Sequence, residues 1–497
     1  MKKGESAVLL LGLDLGTTNV KALVTDARGV VRGAASRPVT LTAVGEGGVE
    51  QDIEDIWQAA LDAIRGALRP VDAAAVVALG VSSQGGALQL LDADGQPLGK
   101  VVSWLDHRGR PEDEALTAEL GRPWFRQRIG HGCCAYAMGQ ILRLRREAPS
   151  WLTPPNRIGF VGDIIVGRLG GRAAQDATSA GLTLLLNPRR GTYDPDVLRR
   201  LGITERQLPD LLSPREPAAR LSAATAEATG LSRGIPISPA VHDQYAAALS
   251  TGASKPGVVM VGAGTAWVLL AVSAEPPELV TDDAFVCSHV VNGLFGEILS
   301  LVNGGSVVSW TLRLIGRERA TPEEIEGLLD AASPGCDGLS CWPFVTPFGA
   351  SGLVPGTRGR WTGIQLGHTP AHLVRAVVEG LTFELNRHLG FLNRAGLPVD
   401  HLVLGGAVAA SRATTQMMAD VTGLPLDCSP AGGGSVLGAA ILARGLLEPN
   451  RSLAELSDAM RPAPRRVEPG ENAAHYHDLF DAYQASVPCA ATHGLLR

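Results

Sequence analysis

Aromatic residues make up only 4% of this chain of 497 residues, and no apolar run approaches the roughly 18 residues that a membrane-spanning helix needs. Blocks of Lys or Arg are also missing, and the formal net charge is -6, which argues against nucleic acid or an anionic membrane as the main partner. Short basic runs such as Arg143, Arg145 and Arg146 read as a solvated helix face. Cysteine is sparse: of seven, only Cys133 and Cys134 are close together, which matches neither a disulfide framework nor a zinc-ligand spacing. The chain opens Met1-Lys2-Lys3 and passes through Gly4, Glu5 and Ser6 into a short apolar run that ends at Asp14. That run is too short, and too acidic at its end, for a secretion signal, so the expectation is a cytoplasmic protein with reduced thiols.

What the chain has in quantity is length and glycine. It is too long for a single hydrophobic core, so two lobes are expected, and its 60 glycines imply many tight turns and close backbone approaches. From Val8 to Asp26 the pattern reads strand, tight turn, strand: LLLGLD, then Gly16-Thr17-Thr18-Asn19, then VKALVTD. The same device returns at Val258 to Val272, with its turn at Gly262-Ala263-Gly264-Thr265. Strand-like runs at Ala75 to Ser82 and Ala87 to Leu91 alternate with helical patterns, which favours α/β architecture. One hairpin at the start of each half suggests two related lobes, residues 1–250 and 251–497, facing a common cleft. The boundary falls near 240 to 256, with a helix at Gln244 to Leu249 between turn-rich segments. Residues 452 to 485, with Leu453, Leu456, Met460, Leu479 and Phe480 at helical spacing, read as packing helices without chemistry.

A nucleotide polyphosphate needs backbone N–H groups and hydroxyls that approach it without bulky side chains, and Gly16, Thr17 and Thr18 supply them. Asp14 is placed to hold Mg2+ through water, since that ion keeps several waters and takes few protein carboxylates. A single turn of this kind is equally an ordinary hairpin. Its pairing with Gly264-Thr265 turns two turns into a clamp for a triphosphate. Leu404-Gly405-Gly406-Ala407 follows an apolar strand and precedes a helical run to Asp420, which suits a nucleotide on a strand-to-helix turn. Ala431-Gly432-Gly433-Gly434-Ser435 opens a helix at Val436 to Leu442, near the expected base or sugar.

These segments, DLGTTNVKALV, HDQYAAALSTGA, GAGTAWVL and LGGAVAASRATTQMMADVTG, resemble the FGGY carbohydrate kinases in order and separation. Gly359 to Glu379, reading GRWTGIQLGHTPAHLVRAVVE, is similar to the C-terminal signature of that family. The resemblance covers almost the whole chain and implies two actin-like, ribonuclease-H-like lobes that close on ATP and a small sugar or polyol. It also implies that Asp243 of His242-Asp243-Gln244 is the general base, a carboxylate able to take the proton of the attacking hydroxyl. As a bare residue, Asp243 is also a good N-cap for the helix that follows. The implied nucleotide set is Gly16, Thr17, Thr18, Gly264, Thr265, Gly305, Gly405, Gly406, Ala407 and Ser411. The implied acceptor set is Gln84, Gly85, Trp104, Asp106, Arg108, His242, Asp243 and Gln244, with Asp14 and Asp243 toward Mg2+.

Alternatives stay open at several of these positions. Trp104 also reads as core, and Asp106 with Arg108 also reads as a local ion pair. The chain departs from the resemblance in places. Gly85-Gly86 stands where xylulose kinases carry Met-His and glycerol kinases Arg-Glu, and Gln140 and Arg143 replace a Lys and a Trp. Phe348 to Gly352 replaces Gly-Glu-Arg-Thr-Pro, and Ala410-Ser411 replaces an Asn pair, which shifts expected adenine contacts to backbone. The expected activity is phosphorylation of a ketopentose such as xylulose, in a chain compatible with a homodimer. A sugar- or nucleotide-binding regulator and an actin-like ATPase are the competing readings.

Overall fold

The computed structural model describes residues 8–346, 351–429 and 434–489. Residues 348 to 350 of the Phe348–Gly352 segment and Ala431-Gly432-Gly433 of the late glycine run lie outside them.

The first hairpin forms as the apolar alternation requires. Leu9–Leu15 pairs antiparallel with Asn19–Asp26 across the Gly16–Thr18 turn, closed by the Gly16 amide donating to the Asn19 carbonyl at 3.1 Å. All seven residues of Leu9–Leu15 are buried, because the strand has a layer on each face. Leu9, Leu11, Leu13 and Leu15 meet the outer helices, among them Ile53–Leu68 and Val161–Gly170. Leu10, Gly12 and Asp14 therefore share the opposite face, which looks toward the other lobe. Asp14 ends an apolar run on the inward face of its sheet.

The first sheet runs, edge to edge, Asp210–Leu211, Ala174–Gln175, Pro236–His242, Val76–Ser83, Leu9–Leu15, Asn19–Asp26 and Val31–Pro38. Its three central strands are parallel and in lateral register, so Asp14 lies beside Ser82 and His242 beside Ser83. The second sheet repeats the plan: Trp267–Ser273 hairpins onto Val258–Ala263, which pairs parallel with His401–Gly405 and places Gly262 beside Gly405. Val259, Val261 and Ala263 face that lobe's own helices, whereas Met260 points toward the first lobe. A smaller five-stranded sheet, which includes Gly48–Gln51 and Leu88–Leu91, is appended to the first lobe.

Helices Asp243–Thr251 and Gly434–Gly445 pack on each other between the two large sheets. Glycines make that layer thin. A Cβ on Gly80 would lie 2.8 Å from Ala443 N and closer still to the Ala439 carbonyl, and one on Gly12 would lie 2.7 Å from Ala440 N. Helix Gly434–Gly445 thus packs on strands Leu9–Leu15 and Val76–Ser83 of the first sheet. Leu453–Met460 follows it there, with the Ser457 hydroxyl donating to the Leu249 carbonyl. The segment read as helices only also contains strand Arg465–Val467, which completes the second sheet beside Leu426–Cys428. Three residues are too short to give a periodic signal. No described helix is long and apolar enough to cross a membrane, and all seven cysteines are free.

Candidate active site

The carboxyl ends of three parallel strands meet on one edge of the first sheet, the place where open α/β sheets leave a crevice. Leu9–Leu15 brings Asp14 there, Val76–Ser83 brings Ser82, and Pro236–His242 runs directly into Asp243, the first residue of the interlobe helix. Ser82 donates its hydroxyl to Asp14 Oδ1 at 3.0 Å. Burial pushes the Asp14 carboxyl up to about 6, and the charge of Asp243 adds to that, against hydrogen bonds from Ser435 and Ser82 and the charge of Lys21. Asp243 is also pushed up to about 6, chiefly by loss of hydration, and is hydrogen-bonded by the amide and side chain of Gln244. Its side chain keeps 31% exposure, so the carboxylate is reachable from the cleft. Two desolvated carboxylates side by side form a site that a cation would relieve.

His242, beside Asp243, holds a ring nitrogen 3.4 Å from Asp243 Oδ1. Burial lowers its pKa to about 3, so the ring is neutral and the contact is not an ion pair. Its own amide donates to Thr178 Oγ1 at 3.0 Å. Gln244 faces the second lobe, where its Oε1 would be 3.3 Å from a Cβ on Gly262. The helix that begins at Asp243 therefore touches the second hairpin.

Gly264 and Thr265 are exposed at the tip of that hairpin. The Gly305 and Ser306 amides donate to the Gly264 and Thr265 carbonyls, each at 3.0 Å, docking the start of helix Gly305–Leu314 on the turn. A Cβ on Gly264 would meet nothing nearer than the Ala266 carbonyl at 3.8 Å, so the backbone faces open space. Gly406 has a left-handed φ of 95° and passes close to Ala263, with Ala407 exposed beside it, so the 262–265 and 405–407 turns are neighbours. Ser411 is engaged otherwise: it caps helix Arg412–Thr422 through the Thr414 amide at 3.1 Å and donates to Glu326 Oε2 at 2.7 Å.

On the opposite wall, a closed ring of hydrogen bonds ties the first turn to the acceptor-side residues. Trp104 Nε1 donates to Thr17 Oγ1 at 3.0 Å, and that hydroxyl donates to Gln84 Oε1 at 3.1 Å. Gln84 Nε2 donates to Gln51 Oε1, and Gln51 Nε2 returns to the Thr17 carbonyl, both at 3.0 Å. Trp104 is 40% exposed and so belongs to the surface of the cleft rather than to the core. Thr18, at the exposed tip, accepts from Asn19 Nδ2 at 3.2 Å.

Asp106 and Arg108 are used internally. The Asp106 carboxylate accepts from the Val49 amide at 2.9 Å, from the amide and guanidinium of Arg108, and from Gln140 at 3.1 Å. Burial works against its charge, yet the Arg108 guanidinium and these amides hold the carboxyl below the usual range. Arg108 also pairs with Glu50 at 2.7 Å. This is the local ion-pair geometry, and it leaves the carboxylate no free acceptor edge facing a sugar. Gln140, a departure in the sequence, is buried against Asp106. Lys21, Thr178, Tyr136 and Leu182 join the site without having been singled out from the sequence; only Lys21 carried a signal, as the residue across the hairpin from Asp14.

A two-lobed cleft with a hairpin turn from each lobe and a partly desolvated carboxylate pair at its floor is that of an ATP-dependent phosphotransferase. The chain belongs to the FGGY family of carbohydrate kinases: the model of the N-terminal domain matches residues 9–250 and that of the C-terminal domain residues 259–444. It is 30% identical over 494 residues to a glycerol kinase from Dechloromonas aromatica, covering 96% of each chain. Its fold is similar to that of a xylulose kinase from Rhodospirillum rubrum (TM-score 0.86, 24% identity, 96% of this chain and 98% of that one). It is similar also to a Plasmodium falciparum glycerol kinase with ADP (TM-score 0.88, 18% identity, 97% of both chains). The lobes are thus actin-like, and the enzyme is a carbohydrate kinase that uses ATP and Mg2+.

Proposed function

We propose that the enzyme moves the γ-phosphoryl of ATP onto a hydroxyl of a sugar, with Asp243 as general base and a ketopentose such as xylulose as acceptor. The observation that carries this is the Asp14–Asp243 pair at the strand ends, both carboxyls shifted to about 6, opposite the turns of two lobes. An ionised Asp243 accepts the proton of the acceptor hydroxyl as that oxygen bonds to phosphorus. Asp14 is held by Ser82 and Ser435, and with Asp243 it fits a hydrated magnesium ion, which takes few protein carboxylates. When bound, magnesium neutralises phosphate charge. The turns at Gly16–Thr18, Gly264–Thr265 and Gly405–Ala407 suit the nucleotide, with Gly305 buttressing the second. The Thr17–Gln84–Gln51 ring, with Trp104 donating to it, positions the acceptor wall, and the Asp106–Arg108 pair scaffolds it. The proposed lobes divide near residues 250/251, a reading that the two large sheets support.

Support for an acceptor bulkier than glycerol comes from Gly85-Gly86, which adds no side chain of its own to the acceptor wall. The glycerol-kinase names of the 30%-identical relatives favour a second acceptor, glycerol. ADP release with MgATP against pentuloses, hexuloses, aldonates and polyols separates these. Stimulation well above the acceptor-free rate by a ketopentose supports the proposal, stimulation by glycerol alone replaces its acceptor, and stimulation by none refutes it.

A further inference from the structure

An imidazole occupies the volume that a side chain at position 85 would need. His242 is 6% exposed, and a Cβ on Gly85 would lie 2.6 Å from its Cδ2, 2.8 Å from its Nε2 and 3.1 Å from Leu182 Cβ. A real Cβ cannot sit there unless the ring moves. The residue is fixed at its backbone, where its amide donates to Thr178 Oγ1, whose hydroxyl donates in turn to Asp176 Oδ1 at 2.6 Å, and its ring stands edge-to-face with Tyr245. Gly86 is different. A Cβ there would have only ordinary contacts, with Tyr136 Cδ1 and the Leu182 carbonyl at 3.6 Å and Trp104 Cβ at 3.8 Å, although its left-handed φ of 72° favours glycine. Side-chain bulk absent from the loop is therefore restored beside Gly85 by a residue of another strand, whereas at Gly86 the space for a first side-chain carbon, bordered by Tyr136 and Trp104, is unfilled.

We propose that His242 is the positioning residue that sets acceptor selectivity: wedged between Gly85 and Asp243, its Nε2 edge fixes the Asp243 carboxylate and directs the acceptor's carbon chain over Gly86. The proposal rests on the kinase reading. A sugar long enough to extend from the hydroxyl at Asp243 past Gly86 would gain contact of its C–H face with Trp104 that a shorter polyol lacks.

A double-mutant cycle on the full-length protein tests it, with Gly85→Ala, His242→Gly and the pair. Gly85→Ala alone is expected to lower the melting temperature and to cut acceptor kcat/KM about tenfold or more, because the new methyl displaces the ring. In the His242→Gly background the same methyl enters vacated space, so its cost on both readouts largely disappears. His242→Gly alone is expected to change the ratio of kcat/KM between pentose and glycerol by about fivefold or more, with ATP KM within about twofold. His242→Asn, which keeps a polar edge, is expected to recover part of kcat. Additive melting shifts in the cycle overturn the wedge, and an unchanged acceptor ranking overturns its role in selectivity. The melting cycle needs no acceptor, so wild-type protein that no acceptor stimulates counts against the kinase reading alone.

Discussion

Replacing Gly80 with alanine should damage stability and turnover together, although Gly80, two residues before Ser82 on strand Val76–Ser83, contributes no side chain to the site. A Cβ there would lie 2.8 Å from Ala443 N and closer to the Ala439 carbonyl, both backbone atoms of a buried helix that cannot swing aside. Restoring ordinary contact distances means a retreat of the helix from the sheet by about 1 Å, in an interior as densely packed as an organic crystal. Overpacking of this kind costs about 3 kcal/mol, which for a lobe of this size lowers the melting temperature by about 6–12 °C. The same helix carries Ser435, which hydrogen-bonds Asp14, so the retreat should also loosen Asp14 and lower kcat. Differential scanning calorimetry and the ADP-release assay read both effects. Gly327→Ala is the control: it lies within helix Pro322–Asp330 with nothing inside 4 Å of its Cβ, and should stabilise by about 0.5–1 kcal/mol. A Gly80→Ala protein that melts with the wild type would refute the tight helix-on-sheet contact.

Two further outcomes follow from buried carboxyls. Glu297 is fully buried, accepts from the Val280 amide at 2.8 Å and has its carboxyl pushed up to about 8 by burial. Because the folded state keeps a proton that the unfolded chain releases, its contribution is intact below about pH 4.5 and is lost as pH rises toward 8, by roughly 3 kcal/mol at pH 7. Glu297→Gln should therefore raise the melting temperature increasingly from pH 5 to pH 8; an equal shift at both pH values would contradict the assignment. Asp243→Asn should reduce kcat about a hundredfold or more while ATP still binds, checked by turnover beside nucleotide titration, and a variant retaining wild-type kcat would remove Asp243 from the role of base.

Much of the site was legible because its chemistry sits at the ends of short, strongly patterned strands. The alternation of LLLGLDL puts Leu10, Gly12 and Asp14 on one face, and the repeated hairpin announces the second lobe. What escaped depends on contacts between distant residues. Nothing near Asp106 shows that the Val49 amide, 57 positions away, will consume its carboxylate, or that Glu326 will engage Ser411. Nor does a glycine-rich helix reveal which sheet it will cover: Gly12 and Gly80 of the first sheet leave the room into which Ala439 and Ala440 fit. The Gly85-Gly86 departure looked like a loss of side chains, and the ring of His242 shows where one of them went.

The most direct test of phosphoryl transfer is the stoichiometry of products from MgATP and a stimulating sugar, measured by mass spectrometry of the acceptor beside ADP. One phosphate ester of the acceptor per ADP, lost together with ADP formation in Asp243→Asn, is the predicted result. ADP and free phosphate without an acceptor ester would identify an ATPase and contradict the account.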